Sequence, residues 1–270
     1  MAKEISAAQL RQYIQEHHEK EYQLVDVRQP GEYRIVHIPG ALLLPLPELA
    51  QAPGSLPHDK DLIFYCHNGG RSETAAMLVE EEGANATRLF NLAGGIMAWD
   101  GAKLAEQPRI ALFADRPVAV MLETAMNLEK GALRFYLGAR QRYAGQPWAE
   151  LLERLAKDEI GHARIVHRYR QKTLADEMPF ETRFDNLDGE ILEGGMMLEE
   201  MLAGLPAPDQ RACLTTIELA LKIESAAYDL YRSMADRTRS EHAEEAFLSL
   251  AQAEKAHIRL LIDAIGGCAR

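Results

Sequence analysis

The chain has 270 residues, a formal net charge of -11 and a mean hydropathy of -0.25. That length suits two cores of ordinary size. An acidic balance without a basic stripe excludes nucleic acid as an expected partner, because affinity for phosphate backbones comes from lysine and arginine displacing counterions.

The first twenty residues, MAKEISAAQLRQYIQEHHEK, mix charges into a helical pattern and lack the apolar core of a signal peptide. No later run reaches the ~18 apolar residues of a membrane span, so no membrane partner and a soluble, cytoplasmic protein are expected. Cys66, Cys213 and Cys268 lie far apart without CxxC spacing, which suits neither a disulfide framework nor a zinc or rubredoxin-type iron site. Special thiol chemistry is therefore assigned to one cysteine. Cys213 and Cys268 read as inert, with Cys268 in its Gly266-Gly267-Cys268 tail open to oxidation.

Up to about residue 105, short apolar runs at Tyr22 to Val27, Asp61 to Cys66 and Thr87 to Asn91 alternate with helical segments and Gly/Pro turns. This predicts a small α/β domain with a mainly parallel sheet. The run Leu62-Ile63-Phe64-Tyr65 delivers Cys66 into His67-Asn68-Gly69-Gly70-Arg71-Ser72, and Glu73 to Glu82 reads as a helix. A cysteine at a helix N-terminus has unpaired N–H groups and the helix dipole favouring its thiolate. The two glycines let several amides face one anion.

These residues resemble the rhodanese family over nearly all of 1 to 105. The resemblance is carried by Asp26-Val27-Arg28, Gly31-Glu32-Tyr33, His37-Ile38-Pro39-Gly40-Ala41, the Cys66 loop, and Leu92-Ala93-Gly94-Gly95-Ile96 with Trp99. It implies that Cys66 accepts sulfane sulfur from thiosulfate or a persulfide and passes it to a thiol acceptor. By position, Arg71 with His67, Asn68, Gly69, Gly70 and Ser72 would bind the anionic donor, His67 as a polar contact rather than a base. Asp26, Arg28 and Glu32 would hold the fold. Four residues separate Cys66 from Arg71, where related cysteine phosphatases use five, so sulfur transfer is expected over phosphate hydrolysis. Val36 stands where the family has glycine, so a different local turn is expected there.

Beyond Pro117 the apolar residues recur three and four apart, which predicts long helices near 117 to 144, 148 to 174, 208 to 236 and 240 to 265. The boundary falls near Gln107 to Asp115, giving domains 1–107 and 108–270. Between the helix pairs, Ala175 to Pro208 forms a long crossover in which Gly189 to Gly204 is expected to be helical. An internal repeat accompanies this pattern: Glu129, Tyr136, Glu159 and His162 recur as Glu224, Tyr231, Glu254 and His257, each 95 residues later. Glu and His three apart share a helix face, so each pair can reach one metal. A lone Glu from each partner helix completes four Glu and two His, a donor set for iron or manganese rather than thiolate-bound zinc.

Residues 115 to 265 are similar to the rubrerythrin branch of the ferritin-like superfamily, four-helix bundles with one long crossover. The resemblance implies two iron ions, with manganese as the alternative, ligated by Glu129, Glu159, His162, Glu224, Glu254 and His257. Tyr136 and Tyr231 would donate hydrogen bonds to ligand carboxylates. Rubrerythrins of this kind reduce hydrogen peroxide. Ala227 stands where they carry a further glutamate, and without a CxxC pair for a rubredoxin iron an external electron donor is expected.

Glu123 and Glu218 repeat as well but fall off the metal face. His17, His18, His58, His167 and His242 read as surface or packing residues, and Met196-Met197 as bundle packing. Two functions are in play. One is a sulfurtransferase fused to a di-iron oxidoreductase acting on peroxide or oxygen; the other is an iron-storing or iron-delivering bundle served by a sulfur-supplying or sulfur-sensing module. A homodimer is expected in either case.

Overall fold

The computed structural model describes residues 2–83, 88–175 and 177–268. The chain divides into two compact units, Met1–Gln107 and Pro108–Arg270.

In the first unit, β1 (Lys3–Ile5), β2 (Tyr22–Asp26), β3 (Leu42–Leu43), β4 (Asp61–Tyr65) and β5 (Leu89–Leu92) form a parallel sheet in the order β1-β5-β4-β2-β3. Central β4 reads as an unbroken apolar run because both its faces are covered. Ile63 and Tyr65 pack with Leu10, Tyr13 and Trp99, whereas Leu62 and Phe64 pack with Leu49, Ala75, Ala76 and Val79. The helices α1 (Ala7–Glu16), α2 (Pro30–Ile35), α3 (Leu46–Leu49) and α4 (Gly70–Glu81) connect the strands, and α5 (Gly95–Ala98) follows β5.

Three local expectations change. Lys3–Ile5 is a strand, and the helix begins only after Ser6, whose hydroxyl accepts from Gln9 N. The strand expected at Thr87 to Asn91 runs from Leu89 to Leu92, and Thr87 lies outside the described residues. Helix α4 starts at Gly70, because Gly69 at φ +107° turns the chain straight into it. Val36 produces no unusual turn. Its φ of -163° is extended backbone open to any residue, and its carbonyl accepts from Arg28 Nη2 at 2.7 Å. Arg28 also pairs with Asp26 at 2.6 Å in the interior, pinning the end of β2.

In the second unit, α6 (Val118–Arg142) pairs with α7 (Ala149–Leu174), and α10 (Ala212–Ala235) with α11 (Glu241–Ile265); α7 also packs on α11. The crossover carries α8 (Phe180–Asp185) and α9 (Leu198–Ala203). The helix expected over Gly189 to Gly204 is thus confined to its last third. Gly189 and Gly195, at φ +58° and +71°, bend the preceding residues into a strap. Within it Leu192 N donates to Met196 O and Gly195 N to Leu192 O, both at 2.8 Å.

Cys213 and Cys268, read above as inert and unpaired, form a disulfide with Cα atoms 5.5 Å apart. The antiparallel hairpin brings the start of α10 beside the end of α11, so 55 residues of sequence separation vanish in space. Among the described residues no helix is long and apolar enough to cross a membrane.

Candidate cysteine loop and metal centre

Strand β4 ends at Tyr65 and leaves Cys66 at the mouth of α4. The sulfur accepts hydrogen bonds from Gly69 N at 3.1 Å and Ser72 Oγ at 3.4 Å. Burial pushes the thiol pKa up, but the Ser72 hydroxyl and the N–H groups of Ser72, Gly69 and Asn68 pull it down by more, leaving it below the ordinary value. The turn at Gly94-Gly95 seats the loop: Ile96 N donates to Cys66 O at 2.9 Å and Met97 N to His67 O at 3.2 Å. A Cβ at Gly95 would strike the carbonyl of His67 at 2.7 Å, so this close approach requires glycine.

The residues expected around the donor divide into two groups. His67, Asn68 and Gly70 are exposed, whereas Gly69 and Ser72 are buried and turned to the sulfur. Cys66 itself is buried under the loop. Arg71 is half-exposed and held by Glu32 through two bonds of 2.7 and 2.8 Å. Glu32, expected only to hold the fold, does cap α2 through Gln29 N at 3.1 Å, but it also orients this arginine. The Arg71 guanidinium draws the Glu32 carboxyl down to about 2.

An alkylation experiment tests the electrostatics of the loop. The rate of Cys66 carboxamidomethylation should reach half its plateau below the ordinary thiol pKa of about 8.5. Deprotonation is favoured in the folded loop, so the rate curve moves to lower pH, and Ser72→Ala should return it upward. An unchanged midpoint in Ser72→Ala would show that the hydroxyl plays no such part.

In the helical unit, the repeat closes on itself as two half-sites. His162 Nδ1 lies 3.2 Å from Glu129 and His257 Nδ1 lies 3.0 Å from Glu224. Glu159 approaches both imidazoles, at 3.0 and 3.5 Å, and so does Glu254, at 3.2 and 3.4 Å. Glu159 and Glu254 therefore occupy the middle and Glu129 and Glu224 the two ends. The hydrogen bonds from tyrosine cross between hairpins, with Tyr136 donating to Glu224 and Tyr231 to Glu129. Burial, reinforced by these carboxylates, pushes both phenol pKa values well up and holds the protons on oxygen.

All six Glu and His residues are buried. Burial raises the Glu159 carboxyl well above its usual range and Glu224 to about 7. Burial likewise opposes a charged His257, yet Glu224 and Glu159 push its pKa up to about 12. Glu159 keeps both oxygens, and Glu254 keeps Oε1, without a hydrogen bond, as donors reserved for a cation would. Hard carboxylate oxygens with two imidazoles suit a pair of iron or manganese ions, so the residues present fit such a group.

Glu123 instead pairs with Arg170 and Arg183, and Glu218 is exposed, both away from this centre. His167 packs on Phe180 with Nε2 3.0 Å from Met178 O. Met196 packs into the bundle, while Met197 is exposed.

Two residues near the centre escaped the sequence reading. Asp158 Oδ2 lies 3.7 Å from His257 Nε2, and Glu193 of the strap is buried beside Glu129 and Glu159. Asp158 directly precedes Glu159 and was open to notice; Glu193 has no periodic neighbour and no repeat counterpart that would single it out.

A buried cysteine cradled by loop N–H groups on a parallel α/β scaffold, followed by a bundle with a buried carboxylate–imidazole cluster, joins a candidate thiol site to a candidate metal site. Family models match in the same order: Rhodanese-like domain over residues 6–102 and Rubrerythrin over 216–269. The chain is 40% identical over 79 residues to the uncharacterized protein YqhL of Bacillus subtilis, covering 29% of this chain and 61% of that protein. It is 40% identical to a sulfurtransferase of Allochromatium vinosum over 28% of this chain and 69% of that one. To the putative sulfurtransferase YtwF of Bacillus subtilis it is 33% identical over 37% of this chain and 91% of that one. The chain belongs to the rhodanese-like sulfurtransferase family through its first unit and carries a rubrerythrin domain in its second. The rubrerythrin match covers the second hairpin, and the first hairpin bears the same Glu, Tyr and ExxH at the same spacing.

Proposed function

We propose that the first unit transfers sulfane sulfur through Cys66 and that the second reduces peroxide at a di-iron centre. With thiosulfate, the Cys66 thiolate attacks the outer sulfur, the S–S bond breaks, and sulfite leaves. The resulting persulfide gives its terminal sulfur to a thiol acceptor and regenerates the Cys66 thiolate. The amides of Asn68, Gly69 and Ser72 hold negative charge on sulfur through both steps. Arg71, pre-aimed by Glu32, binds the anionic donor.

In the bundle, Glu129, Glu159, His162, Glu224, Glu254 and His257 would hold the metal. When bound, a di-iron pair supplies the two electrons that turn peroxide and two protons into two waters. Tyr136 and Tyr231 keep Glu224 and Glu129 oriented toward the centre. Electrons return from an external donor. The observation that carries this reading is the meeting of both ExxH pairs and both lone glutamates in one buried cluster.

Stopped-flow mixing of the iron-loaded, reduced protein with peroxide and a chemical reductant tests it. Catalysis predicts many peroxides consumed per site. One oxidation per iron, followed by arrest, would instead mark an iron store or carrier.

A further inference from the structure

Glu193 lies in the strap between Leu192 and Gly194, 2% exposed, and neither of its carboxylate oxygens has a hydrogen-bond partner. Its ligand atom and those of Glu129 and Glu159 all lie within 4.8 Å of one another. Placing an unpartnered acid in an interior that already holds four others is strongly unfavourable unless a cation offsets it.

The backbone is built to put Glu193 there. Gly131 of α6 and Ala226 of α10 occupy equivalent places in the repeat, and both are where the strap touches the bundle. A Cβ at Gly131 would strike Ile191 O, and one at Gly194 would come within 2.9 Å of Ala226 Cβ. Small residues on both helices thus let the strap press between them. Leu192, buried beside Glu193, anchors it in the core. One turn beyond Glu224, α10 itself offers Ala227 and no carboxylate.

We propose that Glu193 is a seventh donor to the metal pair, delivered by the crossover to the Glu129 side of the centre. This rests on the di-metal reading of the six helical residues. The four helices alone would give a nearly symmetric site, and Glu193 makes it asymmetric. The fifth carboxylate of the centre falls on one half and gives that half a stronger preference for a highly charged ion.

Anaerobic titration of the full chain with cobalt(II), followed by visible absorption and by thermal unfolding, tests the assignment. In Glu193→Gln the cobalt equivalent on the Glu129 side, the tighter of the two in the wild type, should lose at least tenfold in affinity, in line with the roughly 10–100-fold that even outer-sphere partners of a metal contribute. Its d–d bands should intensify as the coordination number falls. The metal-free variant should melt higher than the wild type, because a buried unpartnered acid has gone, while the cobalt-loaded variant gains less. Glu193→Asp, which keeps the charge but withdraws it by one methylene, should also bind less tightly.

Equal affinities and an unchanged spectrum in both variants would overturn the assignment. So would a fall in melting temperature with and without cobalt under an unaltered spectrum, which marks a packing residue. Should the wild type itself take up no cobalt, the six-residue reading fails first, a result distinct from either of these.

Discussion

Cys66→Ala is expected to lower kcat/KM for sulfur transfer from thiosulfate to a thiol by about three orders of magnitude or more, the scale of losing a nucleophile outright. Nothing else in the loop can replace the sulfur, because Ser72 is buried and its hydroxyl faces the sulfur rather than the loop surface. The substitution removes only the sulfur atom from a packed position and should leave the unit folded. Cyanide-detected or sulfite-detected turnover measures the loss, and mass spectrometry of the wild type after thiosulfate should show one added sulfur on Cys66. Persistence of transfer in Cys66→Ala would place the chemistry elsewhere.

The second large effect belongs to Glu254. It approaches both imidazoles, at 3.2 and 3.4 Å, so its loss touches both halves of the centre at once. Glu254→Gln should weaken metal binding by two orders of magnitude or more, exceeding the roughly 10–100-fold assigned to outer-sphere partners. A ligand at one hundred times its Kd stabilises a fold by about 2.7 kcal/mol. The wild-type melting transition should therefore rise by roughly 5–10 °C on metal loading, and in Glu254→Gln that increment should largely vanish. Calorimetry with and without manganese(II) reads both. A full increment in the variant would remove Glu254 from the coordination sphere.

Much of this architecture is written in local sequence patterns. Helices α6, α7, α10 and α11 carry many turns of one apolar period, so their ends fall within a few residues of expectation. The ExxH pairs were visible because the same spacing occurs twice, and the sheet because β4 is apolar on both faces. What escaped notice has a common cause, dependence on distant partners. Lys3–Ile5 is too short to show a period and exists as a strand only through pairing with Leu89–Leu92. Cys213 and Cys268 meet only once α10 and α11 are antiparallel. Glu32 and Arg71 are 39 residues apart. Glu193 sits in a glycine-rich strap with no periodicity, and only the gap left by Gly131 and Ala226 explains its entry.

A dinuclear metal centre is expected where the two equivalent hairpins converge their carboxylates and imidazoles. Its most direct test is the iron content of the full chain after anaerobic loading with ferrous ion and removal of the excess. Two irons per chain are predicted, falling below one in the double variant Glu159→Gln/Glu254→Gln. Undiminished iron in that variant, or none in the wild type, would contradict the account.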